Sequence, residues 1–176
     1  PGKVYTVEVP VYSSKISDDL EGYTIAFVTD MHKMPDKKVD KLIEQIEKES
    51  PDLILIGGDF GGRDYTKYAI ESLGKIKTND GIYGVHGNHD NSSRLFQLME
   101  KNSMTPLDNT GEQVRPGFYV AGVADFWYRT PDIKKAISHA QKDDFVLLIS
   151  HNPDLTMMQS TKDVDLTISG HTHGGE

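Results

Sequence analysis

Residues 53–59 read Leu53-Ile54-Leu55-Ile56-Gly57-Gly58-Asp59: an unbroken aliphatic run, then two glycines and an acid. A short apolar run without polar alternation suits a strand buried on both faces. The preceding stretch, Asp36 to Ser50, places Val39, Leu42, Ile43 and Ile46 at i, i+3, i+4 and i+7, which predicts an amphipathic helix. Asp36 is its expected N-cap, and Pro51 ends it. Working outward, the same alternation recurs. Strands are expected at Val4–Val9, Tyr23–Thr29, Ile82–His86, Phe118–Val123, Phe145–Ser150 and Asp165–Ser169. Helices are expected at Tyr65–Lys77, Ser92–Lys101 and Pro131–Lys142, with a short helical stretch near Leu155–Gln159, and Thr105–Gly117 reads as a loop. Strand–helix alternation of this kind argues an α/β sandwich.

The chain has 176 residues, enough for one domain spanning 1–176 with a sizeable core. Apolar residues make up 36% and charged residues 26%, too apolar for intrinsic disorder and too polar for a membrane bundle. The longest apolar runs, such as Phe145–Ile149, are strand-sized, so no membrane span is expected within the chain. No signal peptide is visible, and the chain opens on Pro-Gly, which leaves room for a removed leader or an upstream anchor. The compartment therefore stays open: cytoplasmic, or membrane-associated or exported behind such an anchor. The net charge of −8 and basic residues no denser than pairs such as Lys37-Lys38 disfavour nucleic acid as a partner. With no cysteine, disulfides, thiolate metal sites and a cysteine nucleophile are excluded.

Each apolar strand is followed at once by polar residues that do not look like ordinary turns. The exits read Thr29-Asp30-Met31-His32, Gly57-Gly58-Asp59, Gly87-Asn88-His89-Asp90, Ser150-His151-Asn152 and Gly170-His171-Thr172-His173. In α/β sheets ligands gather at the carboxyl ends of strands. Five exits thus deliver carboxylate, amide and imidazole donors to one edge, a set suited to Mn²⁺, Fe or Zn²⁺. Seven donors exceed one tetrahedral site; with one carboxylate bridging, they divide between two metals. Such a pair, ~3.5–4 Å apart, clamps an in-line phosphoryl displacement and lowers the pKa of a bound water toward ~7.

These five blocks, in order from residue 30 to residue 173, resemble the signature of calcineurin-like metallophosphoesterases. The words around Asp18–Gly22, Ser150–Asp154 and Gly170–Gly175 look closest to a bacterial branch of small hydrolases that often sit behind a membrane anchor or export signal. The resemblance implies a four-layer α/β/β/α sandwich with two mixed sheets, and further strands beyond Glu176 to close the second sheet. It implies that Asp30, His32 and His173 hold one metal, that Asn88, His151 and His171 hold the other, and that Asp59 bridges both. His89 matches the non-ligand catalytic histidine, expected to protonate the leaving oxygen or to stabilise equatorial charge. Asp90 either orients His89 or serves the loop's own hydrogen bonding. The function implied is hydrolysis of a phosphomonoester, phosphodiester or pyrophosphate by in-line attack of a metal-bridging hydroxide, with a small-molecule or lipid-linked phosphoester as substrate. Relatives often carry a small or glycine-rich loop after His32, where this chain has Lys33-Met34-Pro35, and the lean stretch between Ser92 and Phe145 suggests an open site.

Other residues carry weaker signals. Arg63, four residues past Asp59, is a candidate clamp for a substrate phosphate or a surface charge. His86 reads as a packed strand histidine and His139 as a solvated helix residue. Phe126, Trp127 and Tyr128 form the densest aromatic cluster, read as core beneath a loop in preference to a substrate or lipid pocket. Asn152 and Asp154 read as caps before the short helix. Two competing functions remain in view, a non-catalytic scaffold on the same fold and a regulatory protein-phosphatase module, although no ligand position is missing.

Overall fold

The computed structural model of the chain describes residues 4–127 and 130–174. Its first half is a repeating β–α unit. β1 (Ile25–Val28), β2 (Leu53–Ile56) and β3 (Ile82–Gly84) are joined through α1 (Asp36–Glu49) and α2 (Arg63–Leu73), and α3 (Ser92–Lys101) leads into the short β4 (Thr105–Pro106). Helical crossovers return the chain in the same direction, so β1, β2, β3 and β4 pair in that order and in parallel. The second sheet runs β5 (Thr110–Arg115), β6 (Phe118–Gly122), β7 (Phe145–Ser150) and β8 (Leu166–Ser169). Only the β5–β6 hairpin, closed through Pro116 and Gly117, is antiparallel. The expected pair of mixed sheets is thus one parallel and one mixed sheet among the described residues. α4 (Ile133–Ala136) and α5 (Leu155–Met158) connect β6 to β7 and β7 to β8.

The four layers follow from side-chain alternation. In β2, Ile54 and Ile56 pack outward against Val39 and Ile46 of α1 and Ala69 and Leu73 of α2. Leu53 and Leu55 face inward, where they meet Phe118 and Val120 of β6 and Leu147 and Ile149 of β7. The outer face of the second sheet, with Tyr119, Ala121, Val146 and Leu148, is covered by Ile133, Ala136 and Leu155. Successive strand residues point to opposite faces, so strands clad on both sides must be apolar throughout. All four residues of β2 and all six of β7 are buried.

Several sequence expectations are corrected. Val4–Val9 forms no strand: Tyr5, Val7 and Val9 are exposed, and an alternating pattern without a neighbouring ladder does not hold a strand. Thr105–Gly117 is not merely a loop but contains β4 and β5; β5 is a polar edge strand (burial largely exposed or partial), so it lacks an apolar pattern to betray it. The helix expected over Pro131–Lys142 shrinks to Ile133–Ala136, with Asp132 capping it through a bond from Lys135 N–H. α2 starts at Arg63 and ends before Gly74. β3 stops at Gly84, short of His86, and Asp36 is the first helical residue of α1, with Pro35 in the cap position. No helix among the described residues is long and apolar enough to cross a membrane.

Candidate metal centre

The strand exits converge on one edge, where the backbone reverses sharply. Asp30, His32, Asp59, His171 and His173 all adopt positive φ, between 35° and 68°. Left-handed backbone is costly for side chains other than glycine and persists where surrounding contacts over-determine it. Two glycines let the exits close up. Gly58, at φ +93°, has the amide of Gly87 where a Cβ would stand. At Gly170 that space is filled by Thr29 Oγ1 and Asp30 Oδ2.

Donor atoms fall into two groups. One oxygen or nitrogen each from Asp30, His32 and His173 lie within 4.8 Å of one another, and so do those of Asp59, His151 and His171. Asp59 stands between the groups: its Oδ2 is 3.6 Å from His32 Nε2 and 3.3 Å from His151 Nε2. Its Oδ1 accepts the His89 N–H at 2.8 Å, and Oδ2 faces both sides. Asn88 joins the second group, with Oδ1 3.1 Å from His151 Nε2. The structure thus brings together all seven residues named from the sequence as metal ligands.

The fit to cations shows in the polar accounting. Asp30 Oδ2 is satisfied by Thr29 Oγ1 at 2.6 Å and by the His171 N–H at 2.9 Å. Asp30 Oδ1 is buried with no hydrogen-bond partner among the described residues, yet lies 3.4 Å from His173 Nε2. Buried carboxylate oxygens left unpaired are costly, and a cation here would supply the missing partner. His32 Nε2 and His173 Nε2 point at each other across 3.0 Å, with their rings stacked at 4.9 Å. His151 Nδ1 lies 2.8 Å from the Gly57 carbonyl, which orients the ring and aims Nε2 at Asp59 and Asn88. That second contact is the usual support of a metal-binding imidazole. Burial opposes the charge on Asp59, but the His151 hydrogen bond and the His89 amide outweigh it and hold the carboxyl below its ordinary value. For His151 burial also opposes charge, and the bond to Asp59 overrides it, pushing the imidazole upward.

His89 is exposed at the mouth, its ring 5.3 Å from that of His32 and nearly perpendicular to it. Asp90 takes the second of its two expected roles. It accepts the N–H groups of Asp59 (2.7 Å), Phe60 (2.9 Å), Gly61 (3.4 Å) and Gly87 (3.0 Å), so both oxygens belong to the loop backbone. It is a positioning residue for the Asp59 loop rather than a partner of the His89 ring. Arg63 is the exposed first residue of α2, and its carbonyl accepts from Arg94 Nη2 at 3.4 Å. His86 is fully buried against Phe96 and His139 is exposed, as expected, but His86 lies just past the strand and His139 past the end of α4. Asn152 Oδ1 caps the Asp154 N–H at 2.9 Å. Phe126 packs on the outer core, whereas Trp127 is 69% exposed; Tyr128 and Gly175 lie outside the described residues. Sequence reasoning missed Thr29 and Asn109. Thr29 was legible as a hydroxyl beside an acid at a strand exit, whereas Asn109 sat in the stretch read as a loop.

A family model described as calcineurin-like phosphoesterase matches residues 23–175. The chain belongs to that family. Among curated proteins it is 28% identical to a transmembrane protein with metallophosphoesterase domain from Danio rerio, over all of this chain and 45% of that protein. It is 28% identical to an uncharacterized metallophosphoesterase of Helicobacter pylori, over 96% of this chain and 48% of the other. It is 27% identical to YkuE, an uncharacterized metallophosphoesterase of Bacillus subtilis, over all of this chain and 67% of that one. The chain spans about half the length of the first two relatives.

Proposed function

We propose that this chain is a dinuclear metal-dependent phosphoesterase. The observation that carries the reading is Asp59 Oδ2, set between His32 Nε2 and His151 Nε2 at the junction of the two donor groups. Asp30, His32 and His173 would hold one divalent cation, Asn88, His151 and His171 the other, and Asp59 both. Manganese, iron and zinc all suit this oxygen–nitrogen set. When bound, the pair supplies a nucleophilic water at neutral pH and neutralises charge on the phosphoryl oxygens.

The chain's own groups do the rest. His89, held by its backbone to Asp59 Oδ1 and open to solvent, would give a proton to the leaving oxygen. Asp90 keeps the Asp59 and His89 loops in register through backbone bonds. Arg63, entering α2 just past the Asp59 loop, is a candidate to hold a non-bridging phosphate oxygen. Substrates in reach are phosphomonoesters, phosphodiesters and pyrophosphates, with a lipid-linked ester as a further candidate.

The test is hydrolysis of para-nitrophenyl phosphate and its bis ester by metal-stripped protein refilled with Mn²⁺, Fe²⁺ or Zn²⁺. We expect one or more metals to restore turnover, Asp59→Asn to abolish it, and His89→Ala to lower kcat by about 10²-fold or more with metal content retained. Two bound metals without cleavage of either ester, under every metal, would count against a hydrolase and favour the scaffold reading.

A further inference from the structure

The loop between β6 and α4 is pinned more firmly than its length demands, and it holds an indole out into solvent. Asn109 Oδ1 accepts the N–H groups of Ala124 (3.1 Å) and Asp132 (2.8 Å), while its Nδ2 donates to the Thr130 carbonyl at 2.9 Å. Both ends of the loop are therefore clamped by one side chain. Inside it, Asp125 is 2% exposed. Its Oδ1 accepts the Trp127 N–H at 3.0 Å, its own N–H points to His86 Nε2 at 3.4 Å, and its Oδ2 is buried with no hydrogen-bond partner among the described residues. A buried carboxylate kept at such a cost shapes the turn that leaves Trp127 69% exposed.

Register places the start of this loop at the sheet edge that carries the metal centre. Gly122 pairs with Ile149, and the Val123 N–H continues the ladder to the Ile149 carbonyl at 3.1 Å, so Ala124 and Asp125 run alongside the exit that carries His151. Trp127 follows Ala124 by three residues, a reach of about 10 Å at most, and neighbouring strands lie ~4.8 Å apart. On its other side the loop touches His86, which leads directly into Gly87, Asn88 and His89. α5 adds to the same flank. Gln159, just past its end, bonds the Pro131 carbonyl at 2.6 Å and the Ile133 N–H at 3.0 Å, while Met157 and Met158 are exposed. Single exposed apolar side chains are ordinary. Here an indole and two adaptable thioethers are exposed on segments that rim the sheet edge carrying the donor groups.

We propose that this rim is the subsite for the organic part of the phosphoester, with Trp127 as the contact residue and Asp125 as the positioning residue, and that the group it takes is apolar, an aryl ring or an alkyl chain. The inference rests on the phosphoesterase reading of the metal centre. The pinned backbone matters because a loop already held in place loses little further freedom when a ligand covers it.

Trp127 is the sole tryptophan, so its emission reports the rim without labelling. The experiment measures kcat and KM of the metal-loaded chain on phenyl phosphate, hexyl phosphate and glycerol 3-phosphate, and titrates the emission with phenyl phosphate and with inorganic phosphate. We expect kcat/KM to favour the apolar esters by about tenfold or more. Trp127→Ala should collapse that preference, mainly through KM. Asp125→Ala should do the same, and Asp125→Asn, which keeps an acceptor for the Trp127 amide, should restore most of it. Phenyl phosphate should change the emission saturably and inorganic phosphate should not. Preference for phenyl alone assigns ring stacking, and equal preference for hexyl assigns general apolar contact; both support the subsite. A preference that survives Trp127→Ala, or emission indifferent to phenyl phosphate, overturns it, and failure of Asp125→Asn to rescue removes Asp125 from the positioning role. If none of the three esters is hydrolysed, the catalytic reading fails, while the emission titration still decides the subsite.

Discussion

Asp90 shows how one side chain can serve a site without touching its chemistry. Its two oxygens take the amides of Asp59, Phe60, Gly61 and Gly87, and thereby fix the turn that aims Asp59 Oδ2 between two imidazoles. Replacing it with alanine leaves buried donors unpaired, and we expect a loss of about 3 kcal/mol or more in urea unfolding, together with weakened metal binding. A stable Asp90→Ala variant with unchanged metal content would contradict this. Gly170→Ala tests the opposite kind of dependence, a lack of space. A methyl there runs into Thr29 Oγ1 and Asp30 Oδ2, so the Asp30 group should lose metal affinity by about 10-fold or more, read by calorimetric titration, while circular dichroism stays native. The strand-exit residue types announced the ligands in the sequence. Which of its two expected roles Asp90 takes was not legible, because most of its partners are backbone groups some 30 residues away, and backbone amides leave no mark in composition.

At the scale of elements, the end of the sandwich opposite the metal centre is tied by carboxylates. Asp52, just before β2, accepts from the Thr24 amide (2.9 Å), the Thr24 hydroxyl (3.2 Å) and Asn79 Nδ2 (2.7 Å), which links the entries to β1, β2 and β3. The Thr24 amide bond, outweighing partial burial and joined by Asn79, lowers its pKa. A carboxylate whose folded pKa lies below its unfolded value contributes stability that is present above the unfolded value, ~3.9, and is lost as pH falls through the folded value. The stability gap between wild type and Asp52→Asn should therefore be largest at neutral pH and close on acidification below about pH 4. A gap that widens in acid would refute the assignment. Nearby, Asp80 accepts from Tyr23 and from Arg115, each at 2.6 Å, and the Arg115 guanidinium lies 5.1 Å over the Tyr23 ring. Arg115 ends β5, so this contact joins the two sheets. It lies within the stretch read from sequence as a loop, since an edge strand with few buried side chains has no pattern to display.

For the molecule as a whole, each donor group draws on both sheets. Asp30 and His32 follow β1, and Asp59 follows β2, all in the first sheet; His151, His171 and His173 follow β7 and β8 in the second. Metal binding therefore fastens one sheet to the other at the open edge. Chelation should lower Tm: at free metal a hundredfold above Kd the linkage is about 2.7 kcal/mol, or roughly 5–10 °C for a chain of this size. Asp59→Asn should lose most of the metal-dependent part, and a Tm indifferent to chelation would argue against a bound metal. Apolar runs such as 53–56 and 145–149, and the polar residues that follow them, settled in the sequence that this is a layered α/β protein with hard donors at its strand exits. Unbroken apolar runs and abrupt polarity changes are local properties, and they survive in one dimension. Only the tertiary structure decided that Asp59 faces both groups, that Asp90 belongs to the backbone, that Val4–Val9 stays unpaired and that Trp127 stands in solvent. Those outcomes depend on which distant segments meet, and the meeting is fixed by parallel crossovers and packed layers rather than by any residue's own preference.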